Sequence, residues 1–260
     1  MRIFTSSARC KTFRTKKLVP RNDEEAPIFH RLGLVPGYSQ EKMERLRVVV
    51  VGAGGLGTQL CSGLARKGVG ALDIFDYDRV ELSNLSRQDF FKEDLGKNKA
   101  VACARNTARQ AVGNSVITGH PWTIQEAVRD HHVPVCDVVV VLVDNDGSRE
   151  FCSQYFKVPV IFGATSIDAR RCYAMVQEVD KACIRCVVPR VDESKMPCVL
   201  PSCVDINKAT VALALYAIDS LFMEKRTRYW NYREHDLTGE LKERSDWFNK
   251  DPDCPLCGRR

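Results

Sequence analysis

Three groups of residues have the types and spacing to do chemistry. The first is Gly52-Ala53-Gly54-Gly55-Leu56-Gly57, which follows an apolar run from Val48 and precedes a segment of helical periodicity. Gly52, Gly54, Gly55 and Gly57 would let the backbone approach phosphate oxygens more closely than a Cβ allows. The helix that follows would offer unpaired N–H groups and the positive end of its dipole to the anion. Alone, such a run is weak evidence. Here Asp76 follows about 20 residues later, at the end of a second apolar segment, where a ribose-binding carboxylate belongs; a turn role for Asp76 or Asp78 is the alternative. The second group is Arg87, Lys99 and the Asp144-Asn145 pair. A nicotinamide site has no use for two cations beyond the acidic residue, whereas a triphosphate does, because charge that builds up at the α-phosphorus must be neutralised. Asp144 closes the apolar run Val138–Val143, where open α/β sheets hold their ligands, and with Asn145 it offers hard oxygen ligands to magnesium. The competing reading makes it a cap for the next helix. The third group is two Cys-x-x-Cys pairs, Cys183/Cys186 and Cys254/Cys257, about 70 residues apart. Four such thiolates suit one closed, tetrahedral, structural zinc, with a redox pair as the competitor.

Alternating strand and helix patterns supply the elements that must position these groups. The spacing predicts a short helix over 39–46, a strand over 47–51, a helix over 54–67 and a strand over 72–75. A helix over 94–112 and a short strand over 116–118 come next. The β-branched run 137–143 predicts a strand buried on both faces of a parallel sheet. A helix over 148–156, strands over 159–163 and 171–179 and a long helix over 206–223 follow, and the chain beyond Tyr229 reads as polar and irregular. The fold class implied is α/β: a doubly wound, mostly parallel, Rossmann-like sheet with a C-terminal zinc-tethered tail. The expected division is a flexible basic arm (1–26), a nucleotide-binding domain (27–226) and a tail closing the zinc site (227–260).

Composition sets the bounds. A chain of 260 residues with 44% apolar side chains can build a core without disulfides, so its 12 cysteines point to metal and packed thiols in a reducing compartment. Cys10, Cys61, Cys103, Cys136, Cys152, Cys172, Cys198 and Cys203 are the thiols outside the two pairs. Residues 1–22 carry seven Lys or Arg and no acid, which predicts disorder; a basic arm for an acidic partner or a targeting peptide are the alternatives. No stretch is long and apolar enough to cross a bilayer, so a soluble, cytoplasmic protein without a membrane partner is expected.

These residues carry a family likeness. From about Glu41 to Gly258 the chain resembles the ThiF/MoeB/HesA family, the adenylating core of the enzymes that activate ubiquitin-like proteins. The likeness lies in 51–57, Leu64-Ala65-Arg66-Lys67-Gly68-Val69-Gly70, the stretch Asp76 to Gln88 with its Ser83-Asn84-Leu85-Ser86-Arg87 motif, Gly96 to Lys99, Asp144-Asn145 and both cysteine pairs. The resemblance implies that Asp76 binds ribose, that Asn84, Arg87 and Lys99 contact ATP phosphates, and that Asp144 works with magnesium. It also implies the reaction: the C-terminal glycine carboxylate of a small ubiquitin-like or sulfur-carrier protein attacks ATP, leaving an acyl-adenylate and pyrophosphate. A homodimer, and a conjugating enzyme downstream, are the further partners implied.

Two departures from the family pattern stand out. Ile28-Phe29-His30-Arg31-Leu32-Gly33 replaces an Arg-Tyr-x-Arg-Gln segment whose arginine reaches the partner subunit's ATP, and brings the chain closer to short single-domain activating enzymes; Arg21 or Arg31 is then the substitute. In place of a Gly-Pro-rich segment stands 196–203, where Cys198, and after it Cys203, matches the covalent cysteine of some relatives. The competing functions are adenylation of a carboxylate on tRNA or a peptide, an inactive scaffold for a conjugation partner, and an NAD dehydrogenase. Nucleic acid is the less favoured acceptor. Retention of Asp76, Arg87, Lys99 and Asp144 argues against a scaffold, and no recognisable catalytic His or Tyr supports a dehydrogenase.

Overall fold

The computed structural model describes residues 9–21, 26–130, 133–190, 201–224, 227–237 and 242–258. Its strands are β1 (Lys11–Arg14), β2 (Arg47–Val51), β3 (Ala71–Phe75), β4 (Val116–His120), β5 (Val138–Val141), β6 (Val160–Thr165), β7 (Arg171–Gln177), β8 (Tyr232–Asp236) and β9 (Lys242–Asp246). They form one sheet in the order β1-β4-β3-β2-β5-β6-β7-β8-β9. The five strands from β4 to β6 pair in parallel. β1 joins one edge, and β7, β8 and β9 the other, all antiparallel. The helices are α1 (His30–Gly33), α2 (Gln40–Arg45), α3 (Gly55–Arg66), α4 (Lys99–Gln110), α5 (Ile124–Arg129), α6 (Asp146–Tyr155), α7 (Ile184–Val187) and α8 (Val204–Phe222).

Alternation along the strands divides the core into two layers. Val48, Val50, Leu72, Ile74, Val138 and Val140 face α3, α4 and α8, burying Leu60, Leu64, Ala100 and Leu213. Val49, Val51, Phe75, Val139 and Val141 point the other way, onto Ile124 of α5 and Cys152 of α6. All four valines of β5 are buried, as its β-branched run predicts. This is the doubly wound α/β architecture expected from the sequence.

Several expectations are corrected. The helix expected over 94–112 begins only at Lys99: Gly96 takes a left-handed φ of 76°, and Asn98 caps α4 by accepting from Val101 N at 3.0 Å. The helix α5 was not anticipated, although Thr123 and Glu126 form its capping box. Lys11–Arg14, within the segment expected to be disordered, is an edge strand. Phe13 packs on the core, Thr12 Oγ1 meets Thr118 Oγ1 at 3.0 Å, and Thr15 N donates to Ser115 O at 2.9 Å. The residues beyond Tyr229 are only in part irregular: 247–258 carry no helix or strand, whereas β8 and β9 extend the sheet through cross-strand charge pairs such as Arg233 with Glu243 at 2.5 Å. Among the described residues no helix is long and apolar enough to cross a membrane.

Candidate functional site

The strand order reverses direction at β2: β3 and β4 lie on one side of it, β5 and β6 on the other. Such a switch point leaves a crevice beyond the strands' carboxyl ends. A cavity of about 730 Å³ lies there, lined by Gly52, Gly54, Gly55, Asp76, Asn84, Arg87, Lys99, Asp144 and Asn145. Nine of the ten nucleotide-site residues expected from the sequence thus share one opening.

The tenth, Gly57, does not line it. Its glycine character is a packing requirement: a Cβ there would stand 1.9 Å from Gly52 O. Gly52 itself has φ of 100°, and a Cβ on it would lie 2.8 Å from Leu142 O on the neighbouring strand. A Cβ on Gly54, by contrast, would meet no protein atom within 4 Å. That open side is where an anion has room. The helix starting there is also left unfinished, since no side chain caps α3. Around the same cavity, α4, α5 and α6 are each capped, by Asn98, Thr123 and Asn145. An uncapped first turn facing a glycine-lined space is an arrangement that suits an anion.

Asp76 is fixed rather than free. Its Oδ2 accepts from Ala53 N at 2.7 Å and its Oδ1 from Asp78 N at 2.9 Å, which leaves further lone pairs for ribose hydroxyls. Burial raises its pKa, against the pull of those two N–H groups and of Lys99. Lys99, the first residue of α4, holds Nζ 2.9 Å from Asp78 Oδ2. Arg87 donates from Nη1 to Ser83 O at 2.6 Å, and Asn84 is buried, with its Oδ1 accepting from Glu81 N at 3.0 Å. Asn145 caps α6 by accepting from Ser148 N at 2.8 Å, so the capping role weighed for Asp144 belongs to its neighbour. Asp144 is exposed at the cavity with no hydrogen bond or ion pair among the described residues. One such carboxylate fits magnesium, which keeps most of its water and takes few protein ligands.

Sequence reasoning missed several residues of the lining. Arg149 is buried at the cavity wall, with Nε donating to Val143 O at 3.0 Å. Its spacing of three from Asp146, on one helix face, was the available signal. Asn207, on α8, comes from far along the chain; its Nδ2 would be 2.5 Å from a Cβ on Gly55. Trp122 and Ile124 supply an apolar wall. Neither Arg21 nor Arg31 lines the cavity.

The four paired cysteines do converge. Their Sγ atoms all lie within 4.8 Å of one another, with Cys183–Cys186 at 3.7 Å and both Cys183–Cys254 and Cys186–Cys257 at 3.5 Å. A disulfide needs about 2.05 Å. Tetrahedral zinc with Zn–S of about 2.3 Å sets sulfurs about 3.8 Å apart, so the cluster fits a metal. Burial pushes Cys183 well above the ordinary thiol range and Cys257 up to about 11. At Cys254 burial is outweighed by the N–H groups of Cys257 and Leu256, and the thiol is lowered. A cation is what would let all four ionise together. Cys198 lies outside the described residues. Cys203 is exposed at the start of α8, and its hydrogen bond with Asp205 raises its pKa, which makes it a poor thiolate.

Comparison with known proteins decides the family. The ThiF family model matches residues 28–256. The chain belongs to the ThiF family. Among its relatives, the sulfur carrier protein adenylyltransferase of Thermus thermophilus is 29% identical over 255 residues, covering 90% of this chain and 92% of that one. The SAMP-activating enzyme E1 of Haloferax volcanii is 32% identical over 234 residues, covering 84% and 83%. The crystal structure of E. coli MccB with ATP shares the fold of this ThiF chain, with a TM-score of 0.73 at 23% identity over 91% of this chain and 75% of the other.

Proposed function

We propose that this ThiF-family chain is an ATP-dependent adenylyltransferase that activates the C-terminal glycine carboxylate of a small ubiquitin-like or sulfur-carrier protein. The observation that carries the reading is the convergence of an uncapped, glycine-lined helix start with Asp76, Arg87, Lys99 and Asp144 around one cavity. The names of the Thermus and Haloferax relatives support the acceptor class.

In this reading Asp76 accepts from the ribose hydroxyls, and the first-turn N–H groups of α3 face the phosphates. Lys99 exchanges Asp78 for a phosphate oxygen, and Arg87 and Asn84 approach the chain of phosphates from the other wall. Magnesium on Asp144 supplies charge neutralisation when bound. A carboxylate oxygen of the acceptor attacks the α-phosphorus, the bond to the bridging oxygen breaks, and pyrophosphate leaves with that electron pair. No proton moves, because the attacking carboxylate is already ionised near neutral pH. Positioning and charge stabilisation are therefore the whole of the catalysis.

The cysteine cluster holds zinc and joins the tail to the sheet, while a covalent step, if the pathway has one, falls to Cys198. The test is exchange of labelled pyrophosphate into ATP. Exchange is expected only when a glycine-terminated partner is added. Exchange driven by a tRNA or a short peptide instead would change the acceptor, and the absence of exchange with every acceptor class would overturn the reading.

A further inference from the structure

One buried cation belongs to neither centre and touches the framework of both. Arg185 lies between Cys183 and Cys186 in α7, its side chain only 3% exposed. Its Nη2 is 2.7 Å from Asp146 Oδ1 and its Nε 2.7 Å from Glu150 Oε1, so one guanidinium spans a full turn at the start of α6. Asp146 is the first residue of that helix, next to the capping Asn145 and two residues from Asp144. It is also 3.7 Å from Arg149, which returns to Val143 O. The loop bearing Asp144 is thereby tied at both ends, Val143 to Arg149 and Asp146 to Arg149 and Arg185 together. A guanidinium is suited to this, since Nε and Nη1 donate in fixed directions to Glu150 Oε1 and Val188 O while Nη2 lies in ion-pair contact with Asp146.

We propose that Arg185 is a positioning residue that couples metal occupancy of the cysteine cluster to the affinity of the cavity for nucleotide. A metal on the four sulfurs fixes α7 and with it the guanidinium; Arg185 then holds Asp146 and the 143–146 loop in the arrangement that binds ATP with magnesium. Without the metal, α7 is released and the loop is no longer anchored. The coupling is reciprocal, so ATP must raise metal affinity by the factor by which metal raises ATP affinity. The inference rests on the reading of the cavity as an ATP site.

The experiment is calorimetric titration of the full chain with ATP and magnesium, without acceptor, in zinc-loaded and zinc-depleted forms, alongside zinc stoichiometry and near-UV circular dichroism. Zinc depletion is expected to weaken ATP binding about tenfold, within the usual span of such couplings. Arg185→Ala should keep one zinc per chain, bind ATP about tenfold more weakly when loaded, and lose the response to depletion; Arg185→Lys should fall between. Should Arg185→Ala fail to fold, Asp146→Asn carries the same test from the other side of the pair. A folded, zinc-loaded variant that binds ATP as tightly as wild type overturns the coupling alone. So does a wild type whose ATP affinity ignores zinc. Failure of the loaded wild type to bind ATP at all overturns the reading of the cavity and the coupling with it.

Discussion

The glycine-lined cavity and the cysteine cluster are built on opposite logics. Around the cavity, polar groups are held by their backs: Asp76 by two backbone N–H groups, Lys99 by Asp78, Arg87 by Ser83 O, each with capacity left over. The first turn of α3 and the carboxylate of Asp144 have no side-chain partner among the described residues. The cluster is the reverse, with four sulfurs within 4.8 Å of one another, three of the pairs at 3.5 to 3.7 Å, turned towards a common centre. A ligand that comes and goes needs groups that are oriented but not saturated, so that binding costs little rearrangement. A permanent structural ion needs a complete set.

The sharpest way to break this comparison is to empty the open site of its one unpartnered carboxylate. Asp144→Ala should reduce pyrophosphate exchange by roughly 100-fold or more, in line with removing a key charge-stabilising group, with little change in melting temperature because Asp144 is exposed. Exchange that survives would remove Asp144 from the reaction. The closed site predicts the opposite signature. Cys254→Ser, or a strong chelator, should cost on the order of several kcal/mol of stability, as loss of a structural metal does, and thermal unfolding with zinc analysis would read it. It should loosen the tail most, since Leu256 packs against the core layer that holds Ile124 and Cys152, and its carbonyl accepts from Gln154 Nε2 at 3.2 Å. Unchanged stability with zinc gone would mean that the cluster carries no structural load.

The smallest effect sharpens the cavity side. Burial raises the pKa of Asp76 in the fold. Between the ordinary carboxylate value and this raised one, the folded chain holds a proton that the unfolded chain has released. Stability contributed at this residue is therefore present below that window and falls as pH rises through it. Ribose binding needs the ionised form, so ATP affinity should begin to fall, on acidification, at a higher pH than an exposed aspartate would give. Titration of ATP binding between pH 4 and 7, roughly the range a raised carboxylate can reach, checks this against Asp76→Asn, which should flatten both curves.

Much of the cavity was legible in advance because its residues sit at element boundaries that hydrophobic periodicity reveals. Gly52 ends one buried strand, Asp76 follows another and Asp144 a third, and a parallel sheet brings all such ends to one edge. The cysteine pairs were legible because thiol ligands come in short local spacings. The edges of the sheet were not. In β1, β8 and β9 the strands are short, charged and half-exposed, as sheet edges usually are. Their only pattern is the partner they pair with, and the partner lies about 60 to 100 residues away for β1 and β8. The helix expected over 94–112 failed for a local reason: Gly96 and Asn98 outweigh the helical residues around them.

The amino-acid order by itself determined the parallel core, the glycine turn, the chemical types around the cavity and the two cysteine pairs, because each is encoded by periodicity or by spacing within a few residues. Only the tertiary structure decided that Arg149 and Asn207 complete the cavity, that Gly57 packs rather than lines, and that Arg185 stands between the two centres. For Arg185 and Asn207 the reason is that the partners lie from 35 to about 150 residues away in the chain and arrive within the same few ångströms, and no local pattern carries the address of a distant partner; for Gly57 it is the path of the turn, which brings Gly52 O against its Cα.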